Sequence, residues 1–442
     1  MTLDATLQTL DDTRAQAIER LFALLRIPSI STDPAYSKAC HDAAQWLADD
    51  LASMGFEASV RPTPGQPMVV AHHDGPGGDA PHILFYGHYD VQPADPLELW
   101  ETGPFEPRLT ETAIVARGAV DDKGQLMTFL EAARAHIANG GLPCRVTVLL
   151  EGEEESGSPS LEGFLEATAD ELKADVALVC DTEMWDRTTP AITTRLRGMA
   201  ATQVTIRAAS HDLHSGMFGG PGRNPIHLLT RILADLHDGE GRVTLPGFYD
   251  GVPELDAETR ASWEATGFDE AAFLSEIGLS VPAGETDRTV LEKVWSRPTA
   301  EVNGIWGGYT GAGFKTVIPS EAHAKISFRL VGTQDPQAVL DALHAHIDAR
   351  LPKDCEASYI EKNGSPAITI GRSDALEAAQ AALEEEWGTP PVMAGCGGSI
   401  PIVGAFKDRL GMESLLIGFA QGDDRMHSPN EKYELTSFHK GA

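Results

Sequence analysis

Apolar and polar positions change period several times along the chain, and each change marks an element. Ile18, Leu21, Phe22 and Leu25 recur at helical spacing, and Pro28 ends that helix before the “SIST” turn. Strand-like and helix-like segments then alternate: “HILFYGHYDV”, the helix “KGQLMTFLEAARAHIANGG” closed by Gly140 and Gly141, then “RVTVLLE” and “DVALVCD”. Strands alternating with helices predict a largely parallel α/β sheet covered on both faces.

The pattern changes near Gly198. “GMAATQVTIRAA” alternates like a half-exposed strand and is followed by the helix “NPIHLLTRILADL” and a long irregular insert. Then come “EVNGIWGGY”, “EAHAKISFRLV”, the helix “DPQAVLDALHAHIDARL” and “CEASYIEKN”. Without the insert the order is β-α-β-β-α-β, the split pattern of a small two-layer domain. After about Pro366 the first style returns with “ALEAAQAALEEEWG”, “PIVGAFKDRLG” and “ESLLIGFA”. The expected organisation is one domain of residues 1–197 and 367–442, with a smaller domain of residues 198–366 inserted into it.

Composition sharpens this picture. A chain of 442 residues, 42% of them hydrophobic, exceeds what one core normally supports. Lys+Arg 34 against Asp+Glu 66 gives a net charge of −32, which repels phosphate backbones and anionic lipid and excludes nucleic acid and membrane surfaces as expected partners. Cys40, Cys144, Cys180, Cys355 and Cys396 are odd in number and lack CxxC spacing, so neither a disulfide framework nor a thiolate zinc site is indicated, and a reducing cytoplasm fits. “MTLDATLQTLDDTRAQ” has no basic or apolar leader pattern, and no apolar run approaches membrane-spanning length. A soluble cytoplasmic protein is expected.

The candidate chemistry begins with “VTVLLEGEEESGS”, where a strand runs straight into Glu151, Glu153, Glu154 and Glu155. Carboxylates crowded in a dry site resist ionising together and need a cation; the alternative is a solvated acidic turn. His88 and Asp90 of “FYGHYD” share one face at a strand's C-terminal end, where open α/β sheets bind ligands. “ARGAVDDKGQ” supplies Asp121 and Asp122 before a helix, “LVCDTEMW” supplies Asp181 at another strand end, and “DRMHSPNEKY” supplies His427. One such residue alone reads as a cap or a turn. Their recurrence at one edge of the sheet is different: two histidines and three carboxylates, one shared, suit two divalent ions about 3.5 to 4 Å apart.

The motifs “GHYDVQP”, “RGAVDDKGQ”, “EGEEESGS”, “CDTEMW”, “HSG”, “KTVIP”, “GGSIP” and “HSPNEK” resemble, in order, those of the two-metal aminoacylase, carnosinase and glutamate carboxypeptidase superfamily, most similarly its cytosolic dipeptidase branch. The resemblance implies an α/β catalytic domain, its mostly parallel mixed sheet flanked by helices, plus an inserted ferredoxin-like α+β lid and dimerisation domain. It implies that His88 and Asp181 hold one ion, Glu155 and His427 the other, and that Asp121 bridges them. Asp90 would orient His88, and Glu154 would be the general base. Glu151 and Glu153 are left as a solvated turn. In the inserted domain, His214 matches a histidine that in dimeric relatives reaches the partner subunit's site and polarises the scissile carbonyl. Arg329 matches the arginine that holds the substrate carboxylate, and Thr316 and Ser399 match further substrate contacts. A cis peptide between Asp121 and Asp122 and a two-fold homodimer are implied as well.

Two departures stand out. Gly395 and Cys396 occupy positions where many relatives carry an arginine and an acidic residue, and “SFHKGA” stops where relatives continue into a closing helix, which would imply a shortened end. The leading expectation is metal-dependent hydrolysis of dipeptides or short peptides with a free C-terminal carboxylate, using zinc, with manganese or cobalt as alternatives. An N-acyl amino acid deacylase is the rival within enzymes, since the same attack by water serves any amide. A catalytically silent peptide-binding or scaffold protein is the rival outside them.

Overall fold

Each strand-like run named above becomes a strand. In chain order the principal ones are β1 (Glu57–Arg61), β2 (Met68–His73), β3 (His82–His88), β4 (Arg145–Glu151), β5 (Val176–Val179), β6 (Gly198–Arg207), β7 (Thr299–Gly307), β8 (Glu321–Leu330), β9 (Glu356–Ser365) and β10 (Glu413–Leu416). The structure, a computed structural model, describes residues 3–398 and 400–442 and, of Asn363 and Pro401, the backbone alone. It divides into one unit of Met1–Thr193, Ile370–Ala394 and Ala405–Ala442 and a second of Thr194–Thr369 and Gly395–Gly404.

The first unit is built on a six-stranded sheet of order β1-β2-β4-β3-β5-β10. β4, β3, β5 and β10 pair in parallel, and β1 and β2 add an antiparallel hairpin at one edge. Side-chain alternation explains why both faces are covered. Phe85 stacks at 3.9 Å on Phe129 of the helix Lys123–Ala138, while its neighbour Tyr86 points the other way and meets Phe406 edge-on at 5.8 Å. Leu21, Leu24, Leu47, Leu51, Leu126 and Leu130 are fully buried in the main core. Gly140 and Gly141 close the long helix at φ 115° and 116°, a conformation that side chains resist.

The second unit contains a four-stranded antiparallel sheet of order β7-β8-β6-β9. With helices Pro225–Ala234 and Pro336–Asp348 between the strands, this is the ferredoxin-like arrangement. Both helices begin with an Asx cap followed by proline: Asn224 accepts from the N–H of Ile226, and Asp335 from that of Gln337. In β8 the residues Ala322, Ala324, Ile326, Phe328 and Leu330 are buried, whereas His323, Lys325, Ser327 and Arg329 occupy the other face. The irregular insert contains three short helices, Ala257–Ala265, Glu270–Glu276 and Val290–Trp295, each capped by Asp or Thr.

Candidate metal centre

The parallel pairing sends the ends of β3, β4 and β5 to the same edge of the sheet, and the ligand residues follow from it. His88 is the last residue of β3, and its Nε2 lies 3.0 Å from Oδ1 of Asp121 and 4.0 Å from Oδ2 of Asp181 just beyond β5. The other oxygen of Asp121, Oδ2, lies 2.8 Å from Nε2 of His427, which is 3.5 Å from Oε2 of Glu155. In both groups, His88/Asp121/Asp181 and Asp121/Glu155/His427, the ligand atoms lie within 4.8 Å of one another. A single carboxylate therefore serves both groups. The Asp121–Asp122 peptide is cis.

The electrostatics fit divalent cations. Burial pushes the carboxyls of Asp181 and Glu154 above their usual range. Burial opposes charge on His88 as well, but hydrogen bonds to Asp121 and Asp90 hold its imidazole well above the ordinary value. Hydrogen bonds to Asp121 and Glu155 raise His427 to about 10. Protons thus gather wherever carboxylates converge, and positive ions meet the same need with every ligand deprotonated. Asp122, fully buried, leaves Oδ1 without a partner among the described residues, while its Oδ2 accepts the N–H of His88 at 3.0 Å. The mixed imidazole and carboxylate donors suit zinc, manganese or cobalt.

The four glutamates divide by what they touch. Asp90 receives the backbone N–H of Glu154 on Oδ1 at 3.2 Å and that of Glu155 on Oδ2 at 3.1 Å. Its carboxylate also lies 3.4 Å from Nδ1 of His88, whose nearer acceptor is Asp90's own carbonyl at 3.1 Å. Asp90 thus supports both the imidazole and the glutamate turn. Gln92 donates to Oε2 of Glu155 at 2.7 Å. The solvated reading of Glu151 and Glu153 is corrected here, since they are 0% and 5% exposed. Glu151 accepts the Ser158 hydroxyl at 2.5 Å, and burial raises its carboxyl to about 8. Glu153 accepts two backbone N–H groups. A charge run looks solvated when only its composition is considered, yet these side chains turn inward because donors wait for them there.

Reasoning from motifs passed over Glu431 and Gln92, although both stand inside quoted motifs, “HSPNEK” and “GHYDVQP”. Glu431 is fully buried and receives Arg117 at 2.6 Å together with the N–H groups of Gly118, Val120 and Asp121. It ties the loop of Asp121 to the loop of His427.

In the second unit, His214 is exposed and pairs with Val317 in a two-stranded ribbon. Its Nδ1 accepts the N–H of Gly216 at 3.0 Å, and the carbonyl of Thr316 accepts the N–H of Ser215 at 3.0 Å. The “HSG” and “KTVIP” motifs, far apart in the chain, therefore lie side by side. Arg329 is half-buried on the sheet face away from the helices. Ser399 lies outside the described residues.

Comparison with known proteins agrees with this geometry. Residues 84–442 match the profile of peptidase family M20/M25/M40. The chain is 31% identical to the Cys-Gly metallodipeptidase DUG1 of Candida albicans, over 99% of this chain and 95% of that one. It is 30% identical to the human Beta-Ala-His dipeptidase, over 89% and 81% of the two chains. The solved structure of the dipeptidase Dug1p from Saccharomyces cerevisiae superposes with a TM-score of 0.80 at 28% identity, covering 100% of this chain and 96% of that one. A profile match over most of the chain, with both ligand groups assembled around one shared aspartate, means that the chain belongs to peptidase family M20/M25/M40 and is a metallopeptidase.

Proposed function

We propose that the protein is a dipeptidase acting on unblocked dipeptides with a free C-terminal carboxylate, Cys-Gly among them, and that Glu154 is its general base. The observation that carries this reading is the division of labour in the glutamate turn: Glu155 joins the ligand group of Asp121 and His427, while Glu154 belongs to neither group. His88 and Asp181 would hold one ion, Glu155 and His427 the other, and Asp121 would contribute to both; zinc is the proposed metal, with manganese or cobalt as substitutes. When bound, the two ions act as Lewis acids and lower the pKa of water toward neutrality. Glu154, its carboxyl pushed up by burial, takes a proton from the attacking water and returns it to the leaving amine. Asp90 keeps the Glu154 backbone in place throughout, through the N–H bond described above.

Arg329, as a planar fork donor, binds the substrate's terminal carboxylate. His214 polarises the scissile carbonyl from the partner subunit, with Thr316 and Ser399 as further contacts. The inserted domain of residues 198–366 acts as lid and as the interface of a two-fold homodimer. Its edge strand β7 supports this, because Val302, Ile305 and Trp306 are 42%, 50% and 40% exposed along it. A cytoplasmic location is proposed from five cysteines that lack CxxC spacing and form no disulfide. Among the described residues no helix is long and apolar enough to cross a membrane.

The test is a substrate panel of Cys-Gly, β-Ala-His, Ala-Ala and N-acetyl amino acids, assayed after loading with zinc, manganese or cobalt. Dipeptides should be cleaved and N-acetyl amino acids should not. Preference for the acetylated compounds would replace this reading with a deacylase.

A further inference from the structure

Glu153 takes no part in the two-metal chemistry, yet both of its oxygens are engaged. Oε1 accepts the backbone N–H of Gln66 at 3.0 Å, and Oε2 accepts that of Ser160 at 3.2 Å. The Ser160 hydroxyl in turn accepts the N–H of Gly65 at 3.2 Å. Gly65 and Gln66 belong to the loop between β1 and β2, so a side chain of the glutamate turn reaches across to the edge hairpin. A further tie comes from the residue after His88: Tyr89 donates its hydroxyl to the carbonyl of Pro67 at 2.5 Å.

The contact is close. A Cβ on Gly65 would lie 1.7 Å from Oε1 of Glu153, and one on Gly152 would lie 2.2 Å from the Tyr89 phenolic oxygen. The loop can come this near only because residue 65 has no side chain. A carboxylate this deeply buried is tolerated because N–H donors meet both oxygens. Asp90 holds the backbone of Glu154 and Glu155 on one side of the turn. Glu153 holds the residue just before them on the other.

We propose that Glu153 is a positioning residue: it straps the glutamate turn to the Gly65–Pro67 loop and so sets the direction in which Glu154 and Glu155 project. The inference rests on the roles assigned above to Glu154 and Glu155. Without the strap, the peptide preceding Glu154 keeps Asp90 on its N–H and the turn's own Ser156 and Ser158 N–H groups on its carbonyl, but the turn loses the tie that Glu153 makes to the edge hairpin. Displacing a reacting group by about 1 Å costs up to about 100-fold in rate.

The test uses Glu153→Gln, whose amide places a donor against an N–H, and Gly65→Ala, which drives a methyl group into the carboxylate. Each should lower kcat for Cys-Gly by about 10- to 100-fold with KM changed less than about 2-fold. Each should also release one of two bound ions at lower chelator concentration than the parent, because Glu155 is displaced. As both variants break one strap, the double variant should be no worse than the weaker single one, whereas independent effects would multiply. Tyr89→Phe, which removes only the hydroxyl bond to Pro67, is the milder control and should shift kcat the same way by about 3-fold. Unchanged kcat and unchanged ion release in both variants would overturn the strap, and so would multiplicative effects. A parent protein that leaves Cys-Gly intact would instead overturn the proposed function, and ion release would then decide the strap alone.

Discussion

Oε1 of Glu431 accepts the backbone N–H of Asp121 at 3.2 Å, so the aspartate shared by both ligand groups is held through its own main chain. Glu431 also pairs with Arg117, and both side chains are at most 1% exposed. Removing one partner of such a pair leaves a buried charge uncompensated, which costs about 3 to 5 kcal/mol. Glu431→Ala should therefore unfold at markedly lower urea and bind fewer than two ions when purified under the parent's conditions. Denaturant titration and elemental analysis check this, and a variant of parental stability would show that Arg117 finds another partner.

Glu154→Gln keeps the shape of the base and removes its proton affinity. Its kcat should fall at least ~100-fold, with two ions still bound. Steady-state kinetics on a metal-quantified sample decide it, and near-normal turnover would assign the proton transfer elsewhere.

The two ligand groups differ in exposure: the His88 side chain is 1% exposed and that of His427 is 53% exposed. Graded chelation should remove one ion early, from the group of Asp121, Glu155 and His427, and the second only later. Elemental analysis along the series measures this. Thermal midpoints should rise with free metal concentration, as they do for any ligand bound only by the folded state. A limit of one ion at saturation would sink the two-metal assignment.

If His214 serves the partner subunit's site, an inactive His214→Ala chain mixed with an inactive Glu154→Gln chain should regain activity, because each mixed dimer contains one complete site. A fully active monomer, or mixed dimers without recovery, would return the carbonyl-polarising role to the same chain.

His346 is 4% exposed and bonds to the carbonyl of Ile232 at 3.3 Å; burial holds its imidazole below the usual value of about 6.5. Its folded pKa being the lower one, the unfolded chain takes up the proton first, and stability present above about pH 6.5 is lost as pH falls. The thermal midpoint of the parent should drop more between pH 7.5 and 5.5 than that of His346→Gln. Parallel curves would mean that the ring is protonated without cost.

Much of the architecture is legible in local pattern. The helix-period face of Ile18, Leu21, Phe22 and Leu25 forms a helix with all four buried, and the alternation in “EAHAKISFRLV” appears as β8 with one face in the core. Periodicity and capping act over a few residues, so neighbouring residues carry the information. The converging edge is legible as well, since parallel strands joined by helices must end on the same side.

What each acidic residue does at that edge is a different matter. Glu151, Glu153, Glu154 and Glu155 are chemically alike and nearly adjacent, and their fates depend on groups remote in the chain: the Gln66 N–H for Glu153, and Gln92 and His427 for Glu155. Glu431 in “HSPNEK” gains its meaning from four donors lying more than 300 residues earlier. Composition and spacing settle that charge gathers at these strand ends. Which carboxylate meets a metal, an N–H or a guanidinium is settled when the chain folds, because hydrogen bonds and desolvation act over a few ångströms in space, whatever the separation along the chain.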